Sequence, residues 1–199
     1  TSTEYVTAII GSVFFFNYTR IAINEGGRSI VRHKGLVLNA VFPRALLPIS
    51  DVYKGLISTM PALAVYAVAH VVVGAPVTAA LFMLPLLMLI QTVINLGLAL
   101  LFSTATAYFQ DVSNLLNYVL RVLTFATPVI YPVSTLTPGL KSILSWNPLF
   151  ALFSGFQAII TGQVPGAALI FQSAAWALLI FVAGVWVFLR HERSFALYV

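Results

Sequence analysis

The sequence predicts an all-α protein that crosses a membrane several times. Residues 71–110 carry no charged side chain, and Lys141 is the one charged residue between Arg121 and Arg190. An Asp, Lys or Arg at the centre of a bilayer costs roughly 2.5–3.5 kcal/mol on insertion scales, so uncharged apolar tracts of this length mark spans. Composition agrees: 60% of the 199 residues are hydrophobic, 8% are charged and the mean hydropathy is +1.00, whereas soluble domains carry about 25% charged residues. The absence of Cys excludes disulfides, thiolate metal sites and Cys nucleophiles. The histidines and acids are too few and too scattered for a metal cluster or a catalytic triad, so neither catalytic nor metal-binding residues are expected.

A single transmembrane domain over residues 1–199 divides into five spans. The first, residues 5–30, has a strongly apolar half up to Phe16, then Asn17, Arg20, Asn24 and Glu25. Residues 52–74 form the second, closed by Gly74-Ala75-Pro76, and residues 77–102 the third. Residues 115–131 form the fourth, ending at Pro132, and residues 167–189 the fifth, stopped by Arg190-His191-Glu192-Arg193. A span needs about 20 apolar residues, with a lower limit near 17, at 1.5 Å per residue. The apolar piece at 148–160 is too short to cross. It reads as a re-entrant or interfacial helix, and residues 140–146 supply the other arm of a hairpin over 140–160.

Orientation follows from Lys and Arg. Arg28, Arg32, Lys34, Arg44, Lys54, Arg190 and Arg193 gather on one side, against Lys141 alone on the other. The positive-inside rule then places the 31–48 loop and the C-terminus in the cytoplasm, with the chain in the cytoplasmic (inner) membrane. Because the basic residues sit at span ends, no nucleic-acid partner is expected. Five spans and a cytoplasmic C-terminus put Thr1 outside, which leads to the expectation of a further in-to-out span upstream, six in all.

Two spans bear polar stripes. Asn17, Arg20, Asn24 and Arg28 recur at helical spacing, as do Asn114, Asn117/Tyr118, Arg121 and Phe125. An intramembrane Arg must face a partner or a wet cavity. The bland alternatives are snorkelling or pairing, of Arg20 with Glu25 and of Arg121 with Asp111 or a carbonyl. Phe14, Phe15, Phe16 and Tyr18 flank the first stripe and offer either a stacking surface for sugar rings or ordinary helix packing. Tyr5, Tyr131, Trp146 and Tyr198 fit an interfacial aromatic belt. Asp111 is placed to cap the fourth span.

The cytoplasmic segment RHKGLVLNAVFPRALLPIS mixes basic residues with Leu36, Val37, Leu38 and Phe42, and meets Pro43 and Pro48. Leu36, Leu38–Asn39 and Phe42 suit a short amphipathic helix. It either lies on the anionic leaflet or docks into a cytoplasmic partner. No G-x-x-x-x-G-K-[ST] sequence occurs, so ATP hydrolysis is not expected of this chain.

Ordered motifs then carry a resemblance. Ser29-Ile30-Val31 with Gly35-Leu36-Val37, Phe42-Pro43-Arg44 with Leu46-Leu47-Pro48, Tyr108-Phe109-Gln110-Asp111-Val112, Thr127-Pro128-Val129-Ile130-Tyr131-Pro132 and Asn147-Pro148-Leu149 succeed one another along the chain. Together they resemble the permease subunit of type-2 ABC exporters, in the branch that exports O-antigen, teichoic acid and related polysaccharides. Gln110 stands where that family has Arg. The resemblance implies a homodimer with two copies of an ATP-binding ABC subunit, which would hold ATP and Mg, so no cofactor is expected in this chain. It implies that Lys34, Leu36, Val37, Asn39, Phe42, Pro43 and Arg44 form the coupling helix. It implies a polyprenyl-diphosphate-linked glycan as cargo, with Phe15, Phe16, Asn17, Arg20, Asn24, Asn117, Tyr118, Arg121 and Phe125 along its path and Arg28, Arg32 and Lys34 near its headgroup. The alternatives are a drug- or lipid-exporting permease of the same architecture and an ion-coupled secondary transporter. The latter is disfavoured because most of the acids lie at span ends.

Overall fold

The computed structural model describes residues 2–72, 74, 77–109 and 111–195, with side chains from residue 7 onward. The side chain of Tyr5, and Gln110 and Tyr198, expected at an interface or a motif, lie outside the described residues. No strand occurs among the described residues. The long helices are α1 (Ser2–Ile21), α4 (Leu46–Val72), α5 (Leu84–Tyr108) and α9 (Ala167–His191). Between them lie short α2 (Ser29–Arg32) and α3 (Lys34–Asn39), then α6 (Val112–Ala126), α7 (Pro138–Leu144) and α8 (Pro148–Ile160).

Three helical stretches are long and apolar enough to cross a membrane: Leu46–Val72, Ala79–Tyr108 and Ala167–Ser194. They overlap the expected second and third spans with shifted bounds and contain the fifth. The second begins earlier than residue 52 because Pro48 falls in the first turn of α4, where its missing N–H is not needed, instead of stopping the chain. The first expected span is α1, then a π-helical turn at Ala22–Gly26, then α2. The residues expected as the fourth form 15-residue α6, shorter than a span requires, which ends at Ala126 rather than residue 131 because Thr127 leaves the helix in extended conformation before Pro128. Asp111 precedes α6, but its side chain makes no capping bond; its carbonyl accepts from Asn114 and Leu115 instead.

Helix α8 is the centre of the molecule. Leu149 to Gln157 are all buried, as are Ile159 and Ile160, and α1, α5 and α9 pack around the helix. A helix apolar on nearly every side has no face to offer water and is stable when buried among other helices. Phe156 stacks on Phe15 of α1 with ring centroids 4.0 Å apart, and Phe153 meets Phe16 edge-on at 5.8 Å. Polar groups pin both ends. Asn147 accepts from Leu149 N–H (3.0 Å) as the N-cap and donates to the Ala126 carbonyl and Thr127 Oγ1, each at 2.9 Å. Gln157 donates to the carbonyls of Pro128 (2.7 Å) and Tyr131 (2.9 Å) and accepts from Val133 N–H (2.9 Å). The Thr127–Pro132 and Asn147–Leu149 motifs are therefore two halves of one hydrogen-bonded joint.

Helices α5 and α9 form the most extensive pairing, and it depends on two glycines. A Cβ on Gly97 would lie 2.6 Å from the Ile180 carbonyl, and one on Gly184 would run into the Gly97 carbonyl. Close backbone approach at small residues is how helices associate where lipid removes the hydrophobic drive. We predict that Gly184→Leu costs about 1–3 kcal/mol by overpacking and lowers the melting temperature of the detergent-purified protein. Gly35→Ala, where nothing lies within 4 Å, leaves that temperature unchanged; equal melting of both variants would contradict this packing.

Candidate translocation path and coupling end

Helix α1 divides its side chains sharply. Phe15, Phe16 and Tyr18 are buried, so the two Phe rings are core and present no open face for a sugar. Asn17 and Arg20 are exposed, and Arg20 has no hydrogen-bonding or ionic partner among the described residues. The stripe does not continue straight to Arg28. A π turn adds one residue to the helical repeat, which rotates the residues beyond it by about 100°. Asn24 and Arg28 are consequently half-buried, and Arg28 Nη2 donates to the Ser113 carbonyl at 2.7 Å, tying the end of this span to α6.

Helix α6 is amphipathic. Leu116 and Leu120 pack on Ile23 of the π turn, while Asn114, Asn117, Tyr118, Arg121 and Phe125 face outward. Arg121 forms no ion pair with Asp111; its guanidinium lies 6.0 Å from the Tyr118 ring centroid, within cation–π range. The pairing expected for Arg20 is likewise not made, because Glu25 is bound to Arg32. Two exposed guanidiniums with no ion pair among the described residues thus stand on α1 and α6.

The opposite burial pattern marks the basic end. Val37 of α3 is buried with Ile30, Leu47, Leu100, Phe188 and Phe195, and Phe42 packs against them half-buried. Val37 and Phe42 are therefore anchors of the segment, not its outer face. Lys34, Leu36, Leu38, Asn39, Val41 and Pro43 point outward, with Val41 fully exposed. Arg44 donates to the Glu192 carbonyl, and Tyr108 packs edge-on against His191 at 5.4 Å. The 31–48 segment, the α5–α6 junction and the C-terminal residues thus share one end of the bundle, as the charge distribution requires.

Arg32 is not the free headgroup cation that the resemblance implied. It ends α2, and its guanidinium reaches both Glu25 and Asp51. Asp51 is the functional candidate that the sequence hid. Its i,i+3 spacing to Lys54 suggests a solvated surface pair, yet its side chain is 3% exposed. Gln91 is similarly concealed inside an uncharged tract; its amide donates to the Phe15 carbonyl (2.7 Å) and Thr19 Oγ1 (3.0 Å), joining α5 to α1. Searching that tract for neutral amides as well as charges would have found it.

Comparison of the sequence with known proteins gives the family. Residues 5–161 match the ABC-2 type transporter family. The chain is 26% identical over 178 residues to the O-antigen export system permease protein RfbA of Myxococcus xanthus, covering 88% of this chain and 68% of that protein. It is 20% identical over 196 residues to the protein of the same name from Klebsiella pneumoniae, covering 97% and 75% respectively. With most of its length matched and its apolar helices in place, the chain belongs to the ABC-2 type transporter family.

Proposed function

We propose that this chain is the membrane permease of an ATP-driven exporter that moves lipid-linked polysaccharide across the cytoplasmic membrane. Five spans and a re-entrant α7–α8 hairpin on the outer side lie within these 199 residues of the protomer. Two protomers pair, each with an ATP-binding subunit that holds ATP and Mg, and the basic end with the C-terminus faces the cytoplasm. The names of the relatives support the cargo, and the family supports the motor. The observation that carries the reading is the pair of exposed guanidiniums, Arg20 and Arg121, on the polar faces of two membrane-associated helices. Facing hydrocarbon they would be costly; lining a wet seam between two protomers they are solvated. Asn17, Asn117, Tyr118 and Phe125 extend that lining, with hydroxyl and amide groups for sugar hydroxyls and rings for apolar sugar faces. Lys34, exposed at the cytoplasmic end, is the cation available to a diphosphate headgroup.

Arg20→Ala and Arg121→Ala are each expected to lower surface polysaccharide about tenfold, equivalent to ~1.4 kcal/mol of barrier, while the ATPase subunit still co-purifies. Undiminished surface polysaccharide in both variants would contradict the path. At the coupling end, Leu36→Asp places a charge on an exposed apolar contact and should abolish export together with co-purification of the ATPase subunit. Normal export with the partner retained would show that α3 does not dock it.

A further inference from the structure

We infer that Arg32 is a positioning residue, the clamp through which displacement of α3 reaches the polar face of α1. The inference rests on the permease reading of the preceding subsection. Arg32 stands two residues before α3, separated from it by His33, whose Nδ1 lies 2.9 Å from the Ser29 carbonyl. The two arms of its guanidinium go to different elements. Nη1 donates to Glu25 in the π turn, and Nη2 to Asp51 on α4 at 2.5 Å. Lys54 holds the other Asp51 oxygen at 3.3 Å.

Stability explains only part of this. The Asp51 carboxylate is 3% exposed and needs a cation beside it. The Glu25 arm joins side chains that are 40% and 52% exposed, and such pairs contribute little to folding. What the second arm does is geometric. A planar fork fixes the angle between two carboxylates, which a single ammonium cannot. It attaches the start of the coupling segment to the π turn of the first span, where the helical register is already irregular. A π turn is where a helix changes register with least disruption, and such turns recur at functional sites. Glu25 lies five residues beyond Arg20. A pull on Glu25 therefore rotates the face bearing Arg20 and Asn17, while Asp51 provides the fixed point on α4.

The test uses the complete permease–ATPase complex in proteoliposomes charged with lipid-linked glycan extracted from the host membrane. Arg32→Lys keeps a cation beside Asp51 but loses the fork. ATP hydrolysis should persist while glycan exported per ATP falls about tenfold, within the usual span of coupling between sites. These 199 residues include no Cys, so with any other cysteines of the complex replaced a bimane label can be placed at Leu38→Cys on α3 or at Asn17→Cys on α1. In the parent, ATP with vanadate should change both signals; in Arg32→Lys only the Leu38 label should respond. A normal Asn17 response and undiminished export per ATP in that variant would overturn the clamp. Should Arg32→Lys fail to assemble, Glu25→Gln, which removes only the half-exposed arm, must show the same split of signals, and an unaltered Asn17 response there overturns it equally. A parent complex that neither exports nor responds to nucleotide overturns the permease reading itself, and this inference with it.

Discussion

The arrangement of this protein depends on burying one short helix. Pro148–Ile160 is apolar on all sides and too short to cross a bilayer, so it is stable only inside a ring of other helices. The Phe15–Phe156 stack fixes α1 against it, and α5 and α9 close the ring through their glycine contact. The irregular chain between α6 and α7 carries backbone groups that hydrocarbon cannot satisfy, and Asn147 and Gln157 of the α8 region bind them. Once α1, α5, α8 and α9 are packed together, α6 is left beside the π turn with one face unburied. That leftover face is where the polar residues lie.

Much of this is legible in the sequence for a simple reason. Formal charge is expensive in lipid, so its absence over residues 71–110 and its rarity beyond Arg121 mark helices directly. The clustering of Arg and Lys also anticipates that the 31–48 segment and the C-terminal residues share one end. The hidden features depend on register and depth. A π turn has no composition of its own, so the stripe from Asn17 to Arg28 is straight at ideal helical spacing and turns inward in the molecule. Phe15 and Phe16 look alike on a helix with or without a neighbour, and only the position of α8 decides that they are core. Asp51 followed three residues later by Lys54 reads as a surface pair until α4 is seen to begin at Leu46 and to carry the carboxylate inward.

The motifs that carry the family resemblance prove to be joints. Ser29 and Ile30 are buried, the latter against Val37 and Leu47, Arg44 binds the Glu192 carbonyl, Tyr108 packs on His191, and the Thr127–Pro132 and Asn147–Leu149 stretches bind each other. The residues proposed to meet cargo, by contrast, are exposed and belong to no such motif. This division suits an exporter in which the frame and its motor connection are specified tightly while the lining varies with the polymer.

Motor-driven export requires that the basic end face the cytoplasm. Single cysteines at Leu38 and Ser142, in a chain with none of its own, report this directly when spheroplasts are treated with a membrane-impermeant maleimide. Labelling of Ser142→Cys in intact spheroplasts, and of Leu38→Cys only after lysis, is the expected result. Labelling of Leu38→Cys from outside, with Ser142→Cys protected, would contradict it.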